Sequence, residues 1–282
     1  MNKPAELELV HQDPWDKLRQ FTQARIGIGR VGTSIPTDEL LRFQLSHAQA
    51  IDAVHVPLDE EQLVESLAEK ENLRAYLPAF HVHSEASDRV TYLQRPDLGR
   101  KLNADGIALL KTHSDHHPSP YDLAIVIADG LSSYAIANHA APFLSALIEQ
   151  LQTSSEQPWN IAPLVIAQQG RVALGDDVCE AINANEVLIL VGERPGLSSP
   201  DSLGLYLTWN AHRGIEESLR NCISNVRPEG LCYEAAAHKC CYLLSESRRR
   251  HVTGITLKDR SDDNTLEHHS GQQFSLVSPS KN

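Results

Sequence analysis

Four runs in the second half of the chain are continuously apolar rather than alternating: residues 123–127, 162–167, 187–191 and 205–209. Strands that are buried on both faces read this way, and helix-like stretches between them point to a parallel sheet covered on both sides. The first three runs end in glycine-bearing turns: Ala128-Asp129-Gly130, Gln168-Gln169-Gly170-Arg171 and Gly192-Glu193-Arg194-Pro195-Gly196. The pattern predicts an α/β fold, a Rossmann-like open parallel sheet, preceded by a mainly helical N-terminal region.

In that region Trp15, Leu18 and Phe21 fall on or near one face of a short helix after Asp13-Pro14. Thr37, just after Pro36, is placed as the N-cap of a second helix whose buried stripe uses Leu41, Leu45 and Ala48. Helical, charged segments continue over residues 60–75 and 94–110. The polar, proline-broken stretch from Thr112 to Pro120 reads as a linker. The expected organisation is a flexible 1–12, a helical partner-packing region 13–117, a Rossmann-like domain 118–258 and a disordered tail 259–282.

Composition narrows the function. Of 282 residues 41% are hydrophobic and 22% charged, an ordinary globular balance. The formal charge of −12 disfavours a general nucleic-acid role, since an acidic surface repels phosphate backbones. Arg248-Arg249-Arg250 reads instead as a basic helix C-terminus. The five cysteines (Cys179, Cys222, Cys232, Cys240, Cys241) show neither zinc-cage spacing nor a disulfide framework. No signal peptide and no membrane-length apolar run is present, so a soluble cytoplasmic chain is expected.

Ligands of open α/β sheets bind outside the carboxyl ends of the strands, near a topological switch point. That rule selects Asp129–Ser132, Gly170–Val172 and Gly192–Gly196, with Cys222 beyond the fourth run as a further candidate. Glu193 admits two readings: a solvated or salt-bridged carboxylate beside Arg194, or an acceptor for ligand amide or hydroxyl donors. Gly27-x-Gly29-x-x-Gly32 matches the dinucleotide fingerprint but lacks a clear preceding strand, and Pro36 delays the helix. The histidine clusters 113/116/117 and 268/269 lie in the presumed linker and tail, so they are read as solvated, with no metal site.

Several ordered stretches resemble one family, the small (light) subunit of adenosylcobalamin-dependent ethanolamine ammonia-lyase. They are Ala24-Arg25-Ile26-Gly27, Leu40-Leu41-Arg42-Phe43, Arg95-Pro96-Asp97-Leu98-Gly99-Arg100, Asp129-Gly130-Leu131-Ser132, Val191-Gly192-Glu193-Arg194-Pro195-Gly196-Leu197, Ser199-Pro200-Asp201-Ser202-Leu203 and Asn221-Cys222-Ile223-Ser224-Asn225. The resemblance implies conversion of ethanolamine to acetaldehyde and ammonia by radical chemistry that starts with cobalt–carbon homolysis. Catalysis would belong to a TIM-barrel large subunit, leaving no catalytic residue in this chain. The implied adenosylcobalamin contacts are Val172, Glu193 and Cys222, on a corrin shared with the large subunit. Asp115-His116-His117 is followed by no glycine of the D-x-H-x-x-G pattern, so cobalt coordination by this chain is not expected. Some relatives carry an N-terminal extension that targets a bacterial microcompartment; only residues 1–12 precede the matching region here, which puts that route in doubt. The competing readings are a NAD-dependent oxidoreductase and a non-catalytic scaffold subunit.

Overall fold

Every residue from Leu123 to Ala128 is shielded from solvent in the strand Tyr121–Ala128. A strand buried on both faces requires covering layers on each side of its sheet. The computed structural model supplies both, and describes residues 10–11, 13–22, 24–154 and 157–261. Most of the expected loose N-terminus and of the expected disordered tail, with His268 and His269, lies outside the described residues.

The chain opens with a two-residue antiparallel pairing of β1 (Val10–His11) and β2 (Arg30–Val31), around a 3-10 helix at Pro14–Phe21. Helices α1 (Thr37–His55) and α2 (Glu60–Glu69) follow, then a 3-10 turn, strand β3 (Phe80–His83), α3 (Arg89–Gln94) and α4 (Ala104–Asp115). The remainder runs β4 (Tyr121–Ala128), α5 (Ser133–Ser154), β5 (Val165–Gln168), α6 (Leu174–Ile182), β6 (Ala184–Gly192), β7 (Leu203–Trp209), β8 (Asn221–Val226) and α7 (Tyr233–Arg250).

The six-stranded sheet has the order β3-β5-β4-β6-β7-β8. Pairings among β3, β5, β4 and β6 are parallel, whereas β7 is antiparallel to both β6 and β8. The architecture is the expected α/β, Rossmann-like one, with a mostly parallel sheet that is mixed at one end for a simple cause. No helix intervenes between β6 and β7, and a parallel return needs a crossover of a dozen or more residues, usually helical. β8 then regains the direction of the first four, so β7 alone runs against the others.

Alternate side chains divide the core in two. Leu123, Ile125, Ile127, Leu188, Leu190, Leu203, Leu205 and Leu207 pack under α5 and α7. Ala124, Val126, Ala128, Val187, Ile189 and Val191 face the opposite side, where α4 and α6 pack together. The second face has smaller residues at β4, which lets α6 lie close. Near β8 it carries Tyr206, Cys222 and Ser224, and the last two are exposed.

Several local expectations shift. The run at 162–167 becomes a strand only from Val165, because Pro163 has no N–H to give the ladder. Thr37 is the first helical residue of α1 rather than its cap; Pro36 flanks it and supplies no side-chain cap. α4 extends through His113 to Asp115, into the presumed linker. His113 is not simply solvated: its Nε2 lies 2.9 Å from the Tyr121 hydroxyl and its ring meets Phe80 edge-on at 4.9 Å. Gly27–Gly32 encloses the short β2 and opens no helix, so the strand-to-helix turn of a dinucleotide site is absent there. Arg248, Arg249 and Arg250 do form the last turn of α7. No helix among the described residues is long and apolar enough to cross a membrane.

The expected buried stripe of α1 is the largest departure. Leu41 is 58% exposed and Leu45 60%, and Ala53 alone is buried in this 19-residue helix. Trp15 (66% exposed) and Phe21 (79% exposed) extend the uncovered apolar surface. The apolar positions are there, but nothing among the described residues covers them.

Glu186 of β6 is fully buried, with the Ser247 hydroxyl of α7 beside it and no ion pair among the described residues. Burial pushes its carboxyl well above the usual range, which favours the neutral acid. The isosteric Glu186→Gln should therefore leave the unfolding free energy within about 1 kcal/mol of wild type in urea titrations. A loss of roughly 3–5 kcal/mol, as when one partner of a buried ion pair is removed, would show an ionised and partnered Glu186 instead.

Candidate functional site

The helices that follow β4 and β5 leave on opposite faces, α5 to one side and α6 to the other. Neighbouring strand ends whose helices diverge in this way make a topological switch point. A cleft of about 440 Å³ opens beside it, lined by Leu131 after β4, Arg171 and Val172 after β5, Gly192–Arg194 after β6, and Tyr92, Val191 and Tyr206. All three turns selected by the strand-end rule therefore contribute to one concavity.

Val172 is half-buried in the turn that enters α6. The first turn of that helix is fixed by Asp176, which accepts two hydrogen bonds from Arg220 at 2.6 and 2.7 Å, and by Asp177, which accepts the Leu102 N–H at 2.8 Å. Glu193 begins the connection after β6, and its N–H donates to the Ser202 carbonyl at 3.0 Å. Its carboxylate accepts the Asn225 N–H at 3.3 Å and lies over Gly204, whose missing side chain leaves it room. Of the two readings of Glu193, a salt bridge with Arg194 is not observed; its carboxylate takes the Asn225 N–H instead, and Arg194 stands exposed.

Cys222 is not at a strand's carboxyl end. It sits near the start of β8, directly opposite Tyr206. Side chains so opposed stand within about 5.5 Å at Cβ, so Cys222 adjoins the cleft through the Tyr206 ring. Its thiol lies 3.3 Å from the Ser224 hydroxyl. Burial first, then the neighbouring Cys222 and Glu193, push the Tyr206 phenol above its ordinary value, which keeps it a neutral donor. The strand ends thus converge on Val172 and Glu193, with Cys222 one residue pair away.

Gly192 shows why the β4 and β6 turns can meet. A side chain there would run into the backbone carbonyls of Ser132 and Asp129. In its absence the Leu131 N–H reaches the Gly192 carbonyl at 2.8 Å.

Sequence reasoning selected the turn that carries Asp129 but missed the partners it meets at the polar floor of this site, Arg89 and Tyr92. Asp129 is almost wholly buried; its Oδ1 accepts the Gly170 N–H at 3.1 Å and its Oδ2 lies 3.4 Å from Arg89 Nη1. Arg89 and Tyr92 come from α3, some forty residues upstream of any turn that the strand-end rule could select. Tyr206 was detectable in principle, since it alternates with Leu205 and Leu207 and so faces the other side of β7. Groups of three or more His, Cys, Asp or Glu arranged to hold a metal ion do not occur among the described residues.

Burial raises the Asp129 carboxyl from 3.8 to about 6, outweighing the opposing pull of Arg89 and the backbone N–H groups. A raised folded-state value means that the native protein binds the extra proton between pH 3.8 and about 6. The group's stability contribution is then complete below that window and lost as pH rises through it. Wild type should lose on the order of 2 kcal/mol relative to Asp129→Asn between pH 4 and pH 7, taking ~1.4 kcal/mol per pKa unit and an unfolded-state carboxyl already partly ionised at pH 4. A wild-type-minus-variant difference that stays flat or rises over this range in denaturant titrations would contradict the assignment.

Comparison with known proteins agrees over nearly the whole described chain. The family described as "Ethanolamine ammonia-lyase light chain (EutC)" matches residues 12–258. A protein of Pseudomonas fluorescens (strain Pf0-1) named "Ethanolamine ammonia-lyase small subunit" is 50% identical over 260 residues, covering 92% of each chain. A protein of the same name from Ralstonia nicotianae (strain GMI1000) is 50% identical over 258 residues, covering 92% of this chain and 93% of its own. Another from Pseudomonas putida (strain KT2440) is 50% identical over 255 residues, covering 90% of this chain and 91% of its own. The chain belongs to the ethanolamine ammonia-lyase light chain family.

Proposed function

We propose that this chain is the small subunit of an adenosylcobalamin-dependent ethanolamine ammonia-lyase and that its strand-end cleft forms one wall of a corrin site completed by the large subunit. The observation that carries the reading is the convergence of Val172 and Glu193 on one cleft beside Tyr206 and Cys222, in a member of this family.

The residues present suit the group. A corrin rim carries neutral primary amides around an apolar macrocycle. Glu193 supplies an acceptor for an amide NH₂, which would cost roughly 1–3 kcal/mol if buried unpaired. Val172, Val191 and Leu131 supply apolar contact, and Cys222 is a small polarizable wall rather than a metal ligand. The Arg171 Nε is buried without an acceptor, so the wall also holds an unused donor. Pockets of about 300–1,000 Å³ take one drug-sized ligand. Cobalamin is several times that bulk, so a cleft of about 440 Å³ holds only part of its rim.

When bound, the cofactor supplies the radical that initiates deamination of ethanolamine. This chain's own residues bind and orient the corrin edge and exclude water from it; ethanolamine, which supplies the reacting carbon and nitrogen, is held by the large subunit. The uncovered apolar faces of Pro14–Phe21 and α1 provide the packing surface for that subunit. A NAD-dependent oxidoreductase loses its structural basis, because Gly27–Gly32 does not join a strand to a helix.

Three measurements follow. The purified chain alone should release no ammonia from ethanolamine; robust turnover without a large subunit would overturn the proposal. In the assembled complex, Glu193→Ala should raise the cobalamin dissociation constant about tenfold, the equivalent of ~1.4 kcal/mol, without loss of assembly. Leu41→Asp with Leu45→Asp should instead abolish co-purification with the large subunit while the chain keeps its circular dichroism spectrum. Retention of the complex by that double variant would remove α1 from the interface.

A further inference from the structure

The motif Arg95-Pro96-Asp97-Leu98-Gly99-Arg100 lends no residue to the lining of the cleft, yet it packs behind α3, whose Tyr92 does line it. Tyr92 of α3 is 1% exposed and lies between two guanidinium groups, Arg89 at 4.9 Å and Arg171 at 4.6 Å from its ring centroid. Its hydroxyl donates to the Gly170 carbonyl at 3.2 Å. The other side of the same residue is held as well, because the Gly170 N–H donates to Asp129 at 3.1 Å. Gly170 is therefore gripped at both its N–H and its C=O by buried side chains.

The next residue is fixed by three further contacts. The Arg171 N–H donates to the Gly99 carbonyl at 2.8 Å, its Nη2 donates to the Tyr92 carbonyl at 3.3 Å, and its guanidinium stacks on the Tyr92 ring. Gly99 lies so close to that ring that a Cβ would stand 2.8 Å from it, which is why the motif has glycine there. Val172 follows immediately. Gln169, just before the clamp, has φ of 55°, a left-handed conformation that a β-strand end would not hold unaided.

We infer that Tyr92 is a positioning residue for the cofactor cleft: its ring and hydroxyl, backed by the Gly99 loop, set the Gly170–Val172 turn where Val172 meets the corrin. The inference rests on the corrin reading of the cleft. It assigns the Arg95–Arg100 motif the task of holding one wall of the site, not of touching the ligand. The geometry is preformed, so the turn does not have to be ordered at the moment of binding, and that ordering would otherwise subtract from affinity. The phenol is held above its ordinary value, first by burial, and so remains a hydrogen-bond donor across the working pH range.

The test uses the complex with the large subunit and three variants: Tyr92→Phe, which keeps the ring and loses the hydroxyl; Arg171→Lys, which keeps the charge and loses the planar stack; and Glu193→Ala as the probe of the cleft itself. Two readouts are taken, amide hydrogen exchange over residues 169–173 and the dissociation constant for adenosylcobalamin by absorbance. Tyr92→Phe is expected to speed exchange in this segment several-fold and to weaken cobalamin binding about fivefold, the size expected for losing one hydrogen bond of ~1 kcal/mol. The melting temperature of the complex should move by no more than a few degrees. Arg171→Lys is expected to reproduce both effects, which keeps the test valid if Tyr92→Phe assembles poorly. Unchanged exchange in both variants overturns the positioning role outright. Faster exchange with an unchanged dissociation constant overturns its link to the cofactor, provided that Glu193→Ala does weaken binding. If Glu193→Ala also binds cobalamin like wild type, the corrin reading falls and the inference falls with it.

Discussion

The buried carboxylate of Asp129 is the joint on which the site depends. It follows directly after β4, accepts the Gly170 N–H beyond β5, and faces Arg89 from α3. Arg89 also donates to the Gly130 carbonyl at 2.8 Å and, through Nε, to the Val54 carbonyl of α1 at 2.6 Å. One buried group thus connects two adjacent strand ends, the short helix that flanks the cleft and the helix that presents the uncovered apolar face. Desolvation makes this costly, as the raised Asp129 carboxyl shows. The arrangement persists because several hydrogen bonds share the charge.

Around that joint the sheet is asymmetric in a useful way. One face is filled by α5 and α7 with large aliphatic side chains. The other is covered by α4 and α6, while Cys222 and Ser224 near its β8 end are exposed. The antiparallel turn from β6 into β7 follows from the lack of a crossover helix, and it folds Glu193 back over Gly204 toward the cleft. A parallel continuation would have sent the chain away from that edge into another helix. On the proposed reading, the exposed apolar faces near Trp15 and α1 and the partial cleft are two signs of one condition, a surface that the large subunit finishes.

Much of this was legible in the sequence. The continuous apolar runs of β4 and β6 gave their strands directly, because burial on both faces leaves no alternation. Their glycine-ended turns meet at one sheet edge, where the cleft opens. The edge strands were harder to see: in β3 Phe80 and Val82 alternate with histidines, and β8 is mostly polar and half exposed. Neither gives a continuous apolar signal. The stripe on α1 was read correctly as amphipathic but placed in the core, since a single chain cannot say whether an apolar face is covered by itself or by a partner. Tyr92 and Arg89 were invisible for a different reason. Their role depends on a contact between segments about eighty residues apart, and no local pattern encodes it.

The most direct test of the central claim is a cryo-electron microscopy map of this chain with its large subunit and bound cobalamin. The account predicts corrin density against the turns after β5 and β6, with an amide side chain within hydrogen-bond reach of the Glu193 carboxylate and the α1 face covered by the large subunit. A corrin enclosed wholly by the large subunit, or resting on another surface of this chain, would contradict it.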